Sequence, residues 1–236
     1  MLLFLIIFLA IFTQTVTGFG VALVSMPLLL LVMDIGQAAP LVALVAGVAE
    51  VLLLLYYRAN LNVRAVSRLI VASLVGIPLG VVALRRVDEG VITAVLGLLL
   101  IAYALYALSG LRLPQLSHPG WAYGFGFVAG LLGGAYNTSG PPIIVYGACR
   151  RWPPAEFKSN LQGFFVVSSF AIIAAHALGG NLTPEVWQRF FIAIPAIFLA
   201  LLIGFQVDRF LNPERFRRLL LIVLLLLGGS LVAGQL

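Results

Sequence analysis

An all-α integral membrane protein of two inverted repeats, each a broken helix hairpin plus three transmembrane helices, is the fold the sequence predicts. Three observations carry that expectation. Only 9% of the 236 residues are charged and 62% are hydrophobic, whereas an ordinary soluble domain is about 25% charged, so there is too little polar surface to face water. The apolar residues come in runs of roughly 20, the length a helix needs to cross about 30 Å of hydrocarbon. Two further runs are too long for one crossing and are interrupted midway.

The simple runs place transmembrane helices at 36–57, 65–84, 90–109, 160–178, 187–207 and 217–235. Their starts carry side chains that accept from free backbone amides: Asp88, Thr183 ahead of Pro184 and Glu185, and Asn212 ahead of Pro213 and Glu214. No Lys or Arg precedes Arg58, so the first 16 residues lack the basic region of a secretory signal and are expected to belong to the mature fold.

The broken runs are 2–33, interrupted by Thr17, Gly18, Phe19 and Gly20, and 121–149, interrupted over 133–142. A straight 32-residue helix would be about 48 Å long, well beyond the hydrocarbon thickness. The distribution of positive charge chooses between one crossing and a hairpin for each. With single crossings the 14 Lys and Arg residues divide 9 to 5; with hairpins that return to their own side they divide 11 to 3, leaving only Arg85, Arg86 and Arg189 on the sparse side. Hairpins are therefore preferred. Each half then crosses an odd number of times and the second half is inverted relative to the first.

The resulting organisation is a first repeat over 1–110, a short connection over 111–120 and a second repeat over 121–236, with both termini outside the cell. Gly18 and Pro27 echo Gly133 and Pro142 at an offset of 115 residues, and Pro78 echoes Pro195 at 117. Interrupted helices in inverted repeats are a common plan of secondary transporters, with substrate held near the midplane where the breaks meet.

The segment GGAYNTSGPP over 133–142 is the least lipid-like stretch at membrane depth, and irregular polar backbone is tolerated there only inside protein or around a wet cavity. Asn137, Thr138 and Ser139 supply hydrogen-bonding groups, Gly134 and Gly140 permit close approach, and Pro141 and Pro142 suit a helix's first turn. A helix starting there would aim free amides and a positive dipole end at an anion. Thr17, Gly18, Gly20 and Ser25 are the counterparts in the first half. The alternative is that these small residues merely allow tight helix packing.

Glu50 is the acidic residue deep inside a predicted span, a position costly enough to mark a coupling candidate, as proton carrier or cation partner. A structural glutamate reaching toward Arg58 is the other reading. His176 is a second coupling candidate, or an interfacial histidine near the span's outer end. Asn160 is assigned to the binding site, and Lys158 and Gln162 to a cytoplasmic vestibule that attracts anions, although Lys158 reads equally as a snorkelling end residue.

Several function classes fall away. The net charge of +6 sits in short connections, where it reads as topology and lipid-headgroup contact with no nucleic-acid partner. A single cysteine, Cys149, leaves no disulfide framework or multi-thiolate metal site. No nucleotide-binding loop, His-Glu-x-x-His helix or Ser/His/Asp arrangement is present. An enzyme, a cofactor and a metal are not expected.

The chain resembles the sulfite exporter TauE/SafE family of membrane proteins. The likeness rests on Gly18, Phe19, Gly20 and Pro27, on the run 133–142 followed by a short basic loop, and on residues 158–160, and it extends over essentially the whole chain. The resemblance implies outward transport of a small organosulfur anion such as sulfite, sulfoacetate or a related sulfonate, coupled to an ion gradient, in a bacterial inner membrane. This chain departs from a plainer glycine-rich second motif at Tyr136, Asn137, Thr138 and Ser139, which bears on the substrate. The expectation is a secondary transporter in the lipid bilayer, working by alternating access with proton coupling open. An anion channel or a nontransporting scaffold or sensor is the alternative, and the oligomeric state is unassigned.

Overall fold

A computed structural model of the protein describes residues 1–111, 113–207 and 213–234. Among the described residues, ten α-helices run in the order α1 Leu2–Thr17, α2 Val21–Leu29, α3 Ile35–Tyr57, α4 Val63–Arg86, α5 Glu89–Ser109, α6 Trp121–Tyr136, α7 Gly140–Cys149, α8 Pro154–Leu178, α9 Pro184–Val207 and α10 Pro213–Ala233. A short 3-10 turn, Arg58–Asn60, extends α3. Among the described residues, six helices (α3, α4, α5, α8, α9 and α10) are long and apolar enough to cross a membrane, and there is no strand.

The six expected spans are therefore present, with one informative difference in length. Helix α8 begins at Pro154, six residues before the expected start, because its first turns, PAEFKSN, are helical but too polar to register as a membrane run. Asp88 caps α5 by accepting from the amides of Gly90 (2.9 Å) and Val91 (3.3 Å), and Thr183 Oγ1 accepts from Val186 N at 3.4 Å. The Asn212 cap lies outside the described residues.

Both broken runs fold as two short helices. Helix α1 ends on Gly18, whose φ of +84° is the left-handed conformation that favours glycine. Helix α6 ends on Asn137, at φ +55°, Asn being the other residue that adopts this cap readily. The two left-handed caps stand 119 residues apart, so the sequence echo at 115 was not the local structural correspondence.

Contacts between elements set the directions of the chain. Gly126, Gly130 and Gly134 of α6 lie against Leu69, Ser73 and Ile77 of α4 in ascending order, so these helices run the same way. Helix α3 runs opposite to α8, since Gly47, Glu50 and Tyr57 meet Ile173, Ser169 and Ser159 in turn. Helix α1 packs along α9, and α5 along α10.

The α6–α7 pair returns to the end where it began: Leu116 N donates to Cys149 O at 3.1 Å, and Arg150 donates to Leu116 O at 2.6 Å. At the opposite end, Ile35 N donates to Glu89 Oε1 at 2.8 Å, and Arg189 donates to Gln37 Oε1 at 2.6 Å. The α1–α2 pair comes back to this second end, where α2 leads into α3.

Candidate functional site

The site grows out of the two helix breaks. In the first, the left-handed turn at Gly18 and Gly20 leaves α2 without a side-chain cap of its own. Gln14, one turn back on α1, supplies it: its Oε1 accepts from Val21 N at 2.9 Å. Thr17 Oγ1 donates to Phe19 O at 2.5 Å and accepts from Phe19 N, holding the turn closed. Ser25 donates to Val21 O at 2.7 Å and serves its own helix.

In the second break, Asn137 N donates to Gly133 O and Thr138 N to Leu132 O, the paired bonds of a helix that ends in a left-handed cap. The Asn137 side chain donates through Nδ2 to Ala39 O at 2.6 Å, tying the break to α3. Helix α7 then starts at Gly140 with Pro141 and Pro142 behind it. As these prolines have no N–H, the donors at this helix start are the amides of Ser139 and Gly140.

The two breaks meet. One internal cavity is lined by Gln14, Gly20 and Val21 from the first and by Asn137, Thr138, Ser139 and Gly140 from the second, with Glu50 of α3 and Phe165 of α8 on its walls. Its volume is about 20 Å³, enough for a water-sized guest, which needs roughly 10–15 Å³. Glu50 is 7% exposed and accepts from Ser169 Oγ. Ser169, not Arg58, is thus the partner that the structure gives it.

The cavity offers both kinds of hydrogen-bonding group. Gln14 Nε2 is a buried donor that faces the Glu50 carboxylate without an ordinary hydrogen bond to it, and Asn137 Oδ1 is a buried acceptor without a partner among the described residues. A buried polar atom left unpaired costs about 1–3 kcal/mol, so a ligand or water that satisfies these atoms is favoured at this place.

Of the residues singled out from sequence, Gly20, Glu50, Asn137, Thr138, Ser139 and Gly140 come together here. Thr17 and Gly18 shape the first turn from behind. Gly134 belongs to the helix interface instead: an added Cβ would strike the Ile77 backbone of α4. Asn160 lies at the basic end, where its Oδ1 accepts from Asn62 N at 2.9 Å. Lys158 packs over the Tyr57 ring, 5.3 Å from its centroid. Gln162 donates to Gly18 O at 2.8 Å, closing the first turn from the α8 side. His176, near the end of α8, is fully buried, with Nδ1 2.9 Å from Asn181 Nδ2.

The sequence reading missed Gln14 and Phe165, which line the cavity, and Ser169, which donates to Glu50 from behind it. A signal existed for Gln14, an amide within the apolar run 2–16. None existed for Ser169, because small hydroxyls are common in packed membrane helices.

The comparisons with known proteins agree with this architecture. The family model described as "Sulfite exporter TauE/SafE" matches residues 3–231. A protein of Cupriavidus necator described as "Probable sulfite/organosulfonate exporter TauE" is 30% identical over 226 residues, covering 93% of this chain and 88% of the relative. The "Probable inner membrane transporter protein TsaS" of Comamonas testosteroni is 26% identical over 171 residues, 71% of each chain. No solved structure matches. The match across nearly the whole chain, on a bundle of six membrane-length helices, places the protein among multi-pass membrane transporters, not enzymes, as a member of the sulfite exporter TauE/SafE family.

Proposed function

We propose that the protein is a secondary transporter that exports a small oxyanion, sulfite or an organosulfonate, through the cavity where its two helix breaks meet. The observation that carries this reading is the convergence of both breaks on one buried cavity with unpaired polar atoms. The amides of Ser139 and Gly140, at the positive end of α7, suit the oxygens of such an anion. The relative from Cupriavidus necator, described as a probable sulfite/organosulfonate exporter, supports the substrate class and the direction.

The two halves, 1–110 and 121–236, are read as inverted repeats joined by 111–120. Matching packing supports this: α4 lies along α6 as α9 lies along α1, and α8 contacts α4 as α3 contacts α9. Among the described residues, Arg58, Arg64, Arg68, Arg150, Arg151, Lys158 and the arginines at the start of α10 fall at one end of the bundle, and Arg85, Arg86 and Arg189 at the other. The basic end is assigned to the cytoplasm and both termini to the outside of a bacterial inner membrane.

A cavity of about 20 Å³ is too small for a sulfonate, so transport requires the hairpins to part from α3 and α8, on one side and then the other. Glu50 shares the cavity with the anion, and like charges at close range repel. The anion is therefore read as binding when Glu50 carries a proton, so that anion and proton cross together and the rate of flux depends on the pH of each side. A channel would lack both this coupling and saturation.

Flux into proteoliposomes, measured for sulfite and methanesulfonate with and without a pH gradient, tests the proposal. Saturable, gradient-dependent flux is expected, and an absence of saturable flux for either anion overturns it.

A further inference from the structure

A second cavity, of about 260 Å³, lies at the basic end, away from the helix breaks. Its walls include Asn62, Arg64, Arg68, Tyr146, Arg150 and Trp152. We infer that this cavity is a separate oxyanion site, taking the phosphate or sulfonate group of a lipid headgroup or of a free anion.

Three features point there. Arg64, Arg68 and Arg150 line one concavity whose lining includes no carboxylate among the described residues. Glu156, which neighbours the rim, is engaged by the side-chain amides of Asn62 (3.1 Å) and Asn160 (3.2 Å). Arg150 is also preorganised, since its guanidinium donates to Leu116 O at 2.6 Å and to Ser117 O at 2.8 Å. That anchorage positions a planar fork suited to an oxyanion.

The third feature is the backbone. Helices α4 and α6 run the same way, so both positive ends face this region, where the α4 cap Asn62 with Arg64 and Ala65, and Ala122 of α6 with Pro119 just ahead of that helix, reach the cavity. Helix starts favour anions over cations, yet Arg64 and Arg68 occupy the first two turns of α4, one turn apart on one face. An anion in the cavity would relieve both the dipole and the like-charge pairing. Membrane topology explains why basic residues gather at this end, but not why three of them share one aromatic-walled hollow.

The test is ligand-dependent thermal stabilisation of the full-length protein in detergent. The probes are sodium sulfate and dioctanoylphosphatidylglycerol, with dioctanoylphosphatidylcholine as control, on the natural protein and on the double variant R64Q/R68Q. Both arginines are exposed, so the variant is expected to keep the unliganded melting temperature. An apparent affinity about tenfold weaker in the variant is expected, the loss of one charge-assisted contact or more. Weakening for phosphatidylglycerol alone assigns the site to a lipid headgroup, and weakening for sulfate as well assigns it to free oxyanions. Equal affinity in both proteins, or no saturable shift with either probe, overturns the inference.

Discussion

Asn137 performs two tasks that a single substitution would confuse. Its backbone adopts the left-handed cap of α6, while its side chain bonds Ala39 and presents a buried Oδ1 to the cavity. Alanine would disturb both, at about 1–2 kcal/mol for the backbone alone. Glycine would disturb only the second, so Asn137→Gly is expected to keep the fold and weaken anion affinity, read as a higher half-saturation constant in flux assays. Ser139→Ala should weaken affinity too, since it removes a hydroxyl from the cavity wall; an unchanged half-saturation constant would remove Ser139 from the site. Glu50→Gln keeps the shape and the contact with Ser169 but cannot release a proton. Flux in that variant is expected to persist without acceleration by a pH gradient, measured in proteoliposomes with equal and unequal pH.

The α4–α6 pair shows what holds the elements together. Gly76 and Gly80 on α4 meet Gly126, Gly130 and Gly134 on α6 so closely that a Cβ on any of the five would strike the facing backbone. Lipid tails are as apolar as leucine, so membrane helices associate by close packing, and small residues permit it. Gly130→Ala is expected to destabilise the protein by about 1–3 kcal/mol through overpacking, seen as a lower melting temperature in detergent. Gly36→Ala, where an added Cβ meets nothing within 4 Å, should change it little. This interface also anchors the second hairpin: α6 is held rigidly to α4, so the α7 start moves only as far as that contact or the Asn137 bond to Ala39 allows.

For the whole molecule, the proposed orientation predicts opposite accessibility at the two ends. Ser117 neighbours the basic loops, and Asn181 lies at the end that holds Arg85 and Arg189. In a background lacking Cys149, Asn181→Cys should react with an impermeant thiol reagent in intact cells, and Ser117→Cys only after permeabilisation. The reverse pattern would invert the assignment of both termini.

How much of this was legible in the chain follows from the range of each interaction. The six spans and the two breaks are local properties: twenty apolar residues must form a helix in lipid, and Gly18, or Asn137 followed by prolines, must end one. The sequence by itself therefore determined the number of helices, the interrupted pair in each half and the family. It also marked Glu50 and the run 137–140, because charge and polarity at membrane depth are costly wherever the rest of the chain goes. Only the tertiary structure decided that Gln14 and Ser169 attend this site, that Gly134 packs against α4, and that His176 is buried. Those outcomes depend on which faces of distant helices meet, and in a chain rich in leucine, glycine and alanine many faces are equivalent until packing breaks the tie.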